Sequence, residues 1–248
     1  MSRALILSVA SAIAAAAPSA ETPSENIEHG LIAAANDFRA GSGLGRLSEN
    51  PALTSEANAF AAYMARTDRF SHTADGRDSG ERARAAGYDY CDLAENIAVE
   101  EGYSPERLAE QFMAGWEASP GHRRNLLNPR VTETGVGVAR APGANSRYFA
   151  VQVFGRPWTA RFSFRIENQS DAVVRYLFEG ESRQLPAHSI MVHTTCQAGD
   201  LTFDNAFGRG GRRFAEEPGA TYLLSQTTNG VQIEIQRPAR PRGRMNHD

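Results

Sequence analysis

Along the first half of the chain, apolar residues recur at helical spacing between residues that start and stop helices. Thr22-Pro23-Ser24-Glu25 has the spacing of a capping box, with Thr as N-cap and Glu three residues on. Leu31, Ile32, Ala35 and Phe38 then share one helical face until Gly41-Ser42-Gly43 halts it. Asn50 before Pro51 predicts the next start, a polar cap followed by proline at the first helical position. Leu53, Ala57, Phe60 and Met64 form the buried stripe of that helix. Ser79 is expected to cap a short helix ending near Gly87. Ser104-Pro105-Glu106 opens another helix, with Leu108, Phe112 and Trp116 inward, and Ser119-Pro120 starts one more short turn.

The period then shortens to two. Val136 and Val138 alternate with small residues, 148–154 is an aromatic and β-branched run, and a hairpin around Pro142-Gly143-Ala144-Asn145 should join them. Helices interleaved with such strands predict an antiparallel sheet covered by helices. From about residue 159 the helical period disappears. Phe162, Phe164 and Ile166 alternate with Ser163, Arg165 and Glu167, and further strand-like runs follow at 173–178, 189–195, 222–225 and 231–235. Short strands at near-regular spacing predict a small all-β unit, a sandwich, with 208–213 as a long Gly/Arg loop. The fold class is therefore α+β.

Composition narrows the setting. With 248 residues, 41% hydrophobic and 22% charged, the chain can bury a substantial core in one large or two modest domains. A formal net charge of −3 gives the whole molecule no pull toward nucleic acid. The one basic excess, Arg237, Arg240, Arg242 and Arg244 among prolines and glycine, reads as a disordered tail. At the other end Arg3, a small apolar run over 4–17, and Pro18-Ser19-Ala20 before Glu21 read as a signal peptide. That run is shorter than the roughly 20 apolar residues of a membrane span, so none is expected. No cysteine follows it, so no lipid anchor is expected either. The sequence thus divides into a leader over 1–20, a helical and sheet domain over 21–157, a β domain over 158–237 and a tail over 238–248. Export implies a secreted protein, periplasmic or extracellular. In such a compartment the two cysteines, Cys91 and Cys196, read either as one disulfide joining the two halves or as two buried thiols.

Three segments carry candidate chemistry. Phe70-Ser71-His72 follows the second helix, Ala94-Glu95-Asn96-Ile97-Ala98 lies in an extended stretch, and Trp116 through Asn125 joins two helices. His122 falls at the third helical position if Ser119 is the N-cap, where the helix dipole disfavours imidazolium. Glu95 and Asn96 point to opposite faces of an extended segment, so only one of them faces a given groove. Two histidines and a carboxylate leave positions open on a bound zinc, and the same groups read equally as hydrogen-bonding loop ties. Asn96 reads as a structural amide, Ser119 as an N-cap and Trp116 as core. His193 and Cys196, three apart, would be half of a metal site with no second half.

Taken together these segments resemble the CAP superfamily of cysteine-rich secretory and plant pathogenesis-related proteins. They are most similar to its bacterial branch, whose signature resembles F-S-H, then G-E-N-I, then W-x-x-S-P-G-H-R. The resemblance spans roughly residues 28–156, includes Gly135-Val136-Gly137-Val138 and Val151-Gln152-Val153-Phe154, and implies an α-β-α sandwich with a surface cleft. It places His72, Glu95 and His122 in that cleft as candidate ligands of a divalent cation such as zinc, beside Ser119 and Asn96. Ser119 stands where animal members carry another acidic residue, and Ala94 replaces the usual glycine. The loss of one acidic group weakens cation binding. The resemblance implies a non-enzymatic module binding a lipid or another envelope component. The alternative is an envelope- or peptide-directed hydrolase using the same groups, with Glu95, His122 and Ser119 as a triad or a metal-bound water as nucleophile. Against the triad, Ser119 lacks a G-x-S-x-G elbow.

Overall fold

The structure is a computed structural model that describes residues 22–143, 147–204, 211–228 and 230–239. The expected leader over 1–20 and the basic tail from residue 240 lie outside the described residues. So do Ala144 and Asn145 of the expected hairpin tip and residues 208–210 of the expected loop.

Among the described residues five α-helices form: α1 (Pro23–Gly41), α2 (Pro51–Thr67), α3 (Ser79–Ala85), α4 (Pro105–Ala118) and α5 (Pro120–Leu126). The capping box of α1 is present, with Glu25 N–H donating to Thr22 Oγ1 at 3.3 Å and Thr22 N–H to Glu25 Oε2 at 2.6 Å. Asn50 caps α2, its Oδ1 accepting from Ala52 N–H at 2.9 Å. The start of α3 is one residue earlier than the sequence predicts. Asp78 is its N-cap, because its carboxylate accepts from Glu81 N–H while Glu81 answers to Asp78 N–H, a second capping box that places Ser79 inside the helix.

Strands β1 (Ser48–Glu49), β2 (Tyr90–Glu101), β3 (Glu133–Arg140) and β4 (Arg147–Pro157) form a sheet in the order β1-β3-β4-β2, so β2 lies at an edge. Its register sets Glu95 opposite Val153 and Asn96 opposite Gln152. One face of the sheet offers Ile97, Phe149, Val151 and Val153 to Leu53, Ala57, Phe60 and Met64 of α2 and Ala83 of α3. The other offers Val136, Val138, Ala150 and Phe154 to Leu31 and Ala35 of α1, Leu108, Phe112 and Trp116 of α4, and Leu126 of α5. The result is the expected three-layer α-β-α sandwich. Glycine sets the spacing of one layer: a Cβ on Gly135 or Gly137 would overlap the α2 backbone at Leu53–Thr54 or Ala57–Asn58. Bare backbone at alternate β3 positions lets the helix lie against the strand.

The C-terminal β region begins after a short 3-10 turn over Trp158–Ala160. It contains β5 (Phe162–Asn168), β6 (Val174–Phe178), β7 (Glu181–Leu185), β8 (Ser189–Thr195), β9 (Asp200–Phe203), β10 (Arg212–Ala215), β11 (Thr221–Thr227) and β12 (Gly230–Gln236). Among the described residues these make two four-stranded sheets, β12-β11-β5-β8 and β10-β9-β6-β7. Phe164, Ile166, Tyr176, Phe178, Phe203, Tyr222 and Leu224 are buried in a shared core. The sequence did not predict β7, β9 and β10: β7 and β10 are short polar runs, and β9 alternates over only four residues. Arg212 and Arg213 lie in β10 rather than in a loop, paired in register with Phe203 and Thr202.

Cys91 on β2 and Cys196 just after β8 form a disulfide that spans 105 residues of sequence. Beside it Arg156 Nε donates to Cys196 O at 2.6 Å and Trp158 N–H to Asp89 O at 2.9 Å. Among the described residues no helix is long and apolar enough to cross a membrane.

Candidate functional site

Edge strand β2 projects successive side chains to opposite sides, as period two requires. Glu95 goes to the α2/α3 side and Asn96 to the α5 side. Both are buried, at 6% and 0% exposure.

On the first side, α2 ends at Asp68, which takes a left-handed conformation at φ 54° and turns the chain into the segment that carries His72. His72 Nδ1 hydrogen-bonds Glu95 Oε1 at 2.6 Å. Because an ionised carboxylate only accepts, Nδ1 carries the proton of this bond. The imidazole is about half exposed while the carboxylate beneath it is buried. Glu95 Oε2 accepts from Arg82 Nη2.

Arg82 is the hub of this side. From α3 its Nη1 donates to the carbonyls of His72 and Arg77, each at 2.9 Å, and to Asp75 Oδ1 at 3.3 Å. Its Nε donates to Glu56 Oε1 at 2.7 Å, and its guanidinium lies 3.5 Å from the centre of the Phe60 ring. One guanidinium thus fixes the loop that carries His72 and the carboxylate that orients its ring. Among these groups Glu56 carries the one large pKa shift: burial pushes its carboxyl up to about 7, and the charge of Glu95 adds to the rise against the opposing hydrogen bond from Arg82.

On the second side, α5 is docked through Asn96. Asn96 Nδ2 donates to His122 O at 3.2 Å, and Asn125 Nδ2 donates to Asn96 Oδ1 at 2.9 Å and to Glu95 O at 3.1 Å. The far end of α5 is held by buried Arg39, whose Nη1 donates to the carbonyls of Leu126 and Asn128, both at 2.8 Å. Ser119 is the N-cap of α5 by backbone conformation, which makes His122 the third helical residue. Burial lowers the His122 pKa, and the charge of nearby His72 lowers it further.

The structure therefore brings His72 and Glu95 into direct contact and sets His122 within electrostatic reach of His72. Asn96 is a tie between β2 and α5, as its sequence suggests. Trp116 is core, 1% exposed, with its indole N–H on Ile97 O at 3.2 Å. The Ser119 hydroxyl makes no capping hydrogen bond, and none to His122 among the described residues. His193 serves the β core, its Nε2 bonded to Tyr176 Oη at 2.8 Å, and Cys196 is committed to the disulfide.

A divalent cation does not fit Glu95 as a ligand. Both carboxylate oxygens are occupied, one of them by a buried guanidinium whose charge would repel the metal. What remains is two imidazoles. Among the described residues no group of three or more His, Cys, Asp or Glu side chains is disposed to hold a metal ion.

Sequence reasoning missed Arg82, Glu56 and Arg39. A signal existed for Glu56: it falls between Leu53 and Phe60 on the buried stripe of α2, where a charged side chain requires a buried counter-charge.

An α-β-α sandwich is the architecture that the motifs implied, and in it His72, from the segment between α2 and α3, bonds Glu95 of edge strand β2. Residues 32–154 match the model of the cysteine-rich secretory protein family, CAP, and the chain belongs to that family through this stretch. The YkwD protein of Bacillus subtilis, itself uncharacterized, is 30% identical over 111 residues, which are 44% of this chain and 41% of that protein. The match thus spans about two fifths of the relative's length. Among solved structures, an extracellular SCP-domain protein from Bacillus anthracis is 25% identical with a TM-score of 0.46, covering 56% of this chain and 45% of that one. An outer surface protein of Borrelia burgdorferi is 20% identical with a TM-score of 0.42, covering 51% and 90%. The protein is a CAP-domain protein of bacterial type.

Proposed function

We propose that this is an exported binding module, not an enzyme, that uses the groove around His72 and His122 to hold a lipid or another cell-envelope component without a resident metal. The observation that carries the reading is that both oxygens of Glu95 are engaged within the protein. With one oxygen on His72 and the other on Arg82, and its side chain only 3% exposed, it positions an imidazole from beneath the surface. The His72 side chain is about half exposed, and exposed Phe70, 46% accessible, adds an apolar surface two residues away. The disulfide supports export, since such bonds persist in oxidising compartments.

The test is calorimetric titration of the purified protein with zinc and with vesicles of phosphatidylglycerol and phosphatidylethanolamine, beside the His72→Ala/His122→Ala variant. Vesicle binding that the double variant loses, with no zinc heat in either protein, supports the reading. Stoichiometric zinc uptake lost in the double variant overturns the metal-free part. Absence of vesicle binding overturns the lipid.

One observation favours a second reading. A buried carboxylate that fixes an imidazole tautomer and leaves Nε2 free is the base-and-orienter half of a hydrolytic site. In that reading His72 Nε2 takes the proton of a water that attacks a peptide or envelope polymer. Ser119 is not its nucleophile in this reading, because its hydroxyl bonds no base among the described residues. Release of fragments from casein or cell-wall material that Glu95→Gln lowers and Ser119→Ala leaves intact would support it. No release by the wild type would end it.

A further inference from the structure

On the other side of Arg82 from His72 lies a cavity of about 320 Å³ between α2, α3 and the segment that joins them. Its floor holds Glu56, 3% exposed, with Oε1 on Arg82 and Oε2 without a hydrogen-bond partner among the described residues. A buried carboxylate oxygen left without a donor is costly and rare in folded proteins. Phe60 and Tyr63 form an aromatic wall, and Ala59, Ala85 and Ala86 leave the opposing surface shallow. At the far end Arg66 lies 5.4 Å from the Tyr63 ring centre and has no carboxylate partner among the described residues, whereas Arg77 is committed to Asp75 at 2.8 Å.

We infer that this cavity is a second ligand site, separate from the His72 groove, and that it takes a short peptide with free termini and small side chains. Its ammonium would donate to Glu56 Oε2 and its carboxylate would pair with Arg66. The length of the ligand follows from helix geometry. Glu56 and Arg66 are ten residues apart on α2, about 15 Å between Cα atoms. Even with the Arg66 side chain folded back over Tyr63, a single amino acid is too short to join them, whereas a dipeptide or tripeptide reaches. The volume lies at the small end of ligand pockets, which suits a short peptide.

The full chain, labelled with ¹⁵N, is titrated with alanyl-alanine, with its N-acetyl form and with its C-terminal amide. The expected result is saturable shifts at residues of α2 and α3 for the free dipeptide, with each capped form weaker by about tenfold or more. Arg66→Gln, on the surface, should bind the free dipeptide no better than wild type binds the amide. Glu56→Gln, if folded, should mimic the N-acetyl loss. No shifts at millimolar dipeptide, equal binding of the capped forms, or unchanged affinity in Arg66→Gln would each overturn the site. None of these outcomes bears on the His72 groove, whose variants are different.

Discussion

Arg82 on α3 donates from Nη2 to Oε2 of Glu95 on β2, and both side chains are 3% exposed. The same guanidinium reaches Glu56 and Asp75, so three carboxylates share one buried cation. Charges this deep are tolerated only when paired and hydrogen-bonded, and Arg82 is the member whose loss leaves the most behind.

Arg82→Met should therefore destabilise the protein by about 3–5 kcal/mol, the range for breaking a buried ion pair on one side. Urea unfolding at neutral pH measures it. A change within about 0.5 kcal/mol, as for an exposed surface site, would show that the network is not what holds the 68–78 segment.

Glu56 and His122 give opposite pH dependences. The folded pKa of Glu56 is raised to about 7 from 4.5. The native state therefore holds a proton that the unfolded chain releases, and this contribution to stability declines as pH rises from about 4.5 to 7. His122 is lowered from 6.5, so its contribution is present above that value and is lost as pH falls below it. Urea unfolding between pH 4 and 8 should show Glu56→Gln removing the first slope and His122→Gln the second. An unchanged profile in Glu56→Gln would contradict a raised pKa.

Two of the polar N-caps, Asn50 and Ser119, should differ in worth. Asn50→Ala removes a side-chain cap on α2 and should cost about 1 kcal/mol. Ser119 makes no such bond, so Ser119→Ala should stay within about 0.5 kcal/mol of wild type in thermal unfolding. A larger loss at Ser119 would mean that its hydroxyl has a partner after all.

Replacing both Cys91 and Cys196 by alanine opens a loop of 105 residues and should cost about 2–5 kcal/mol. The signature to measure is separation of one unfolding transition into two, since Arg156 and Trp158 are the other described hydrogen bonds beside that junction. A single transition at the wild-type temperature would show that the two cores are coupled without the bond.

The helices were legible because their signals are local. Thr22 and Asn50 mark starts by their capping side chains and Ser104 by the proline that follows it, and the stripe of α2 is a period that needs no partner to be read. Asp78 was missed by one position because adjacent Asp and Ser are both good caps, and the reciprocal bond with Glu81 chose between them. Strands β7 and β10 were invisible because polar residues such as Ser182 and Arg212 take strand conformation only where a neighbouring strand supplies hydrogen bonds, and the four residues of β9 are too short a run to show a period.

The candidate site divides the same way. His72, Glu95 and His122 stand out by motif, and the opposite aim of Glu95 and Asn96 follows from strand period alone. That Arg82 meets Glu95, and that Cys91 meets Cys196, was decided only when segments distant in the chain came together. Charge pairing and disulfide geometry act through space over a few ångströms, and no spacing along one chain states which distant groups will meet.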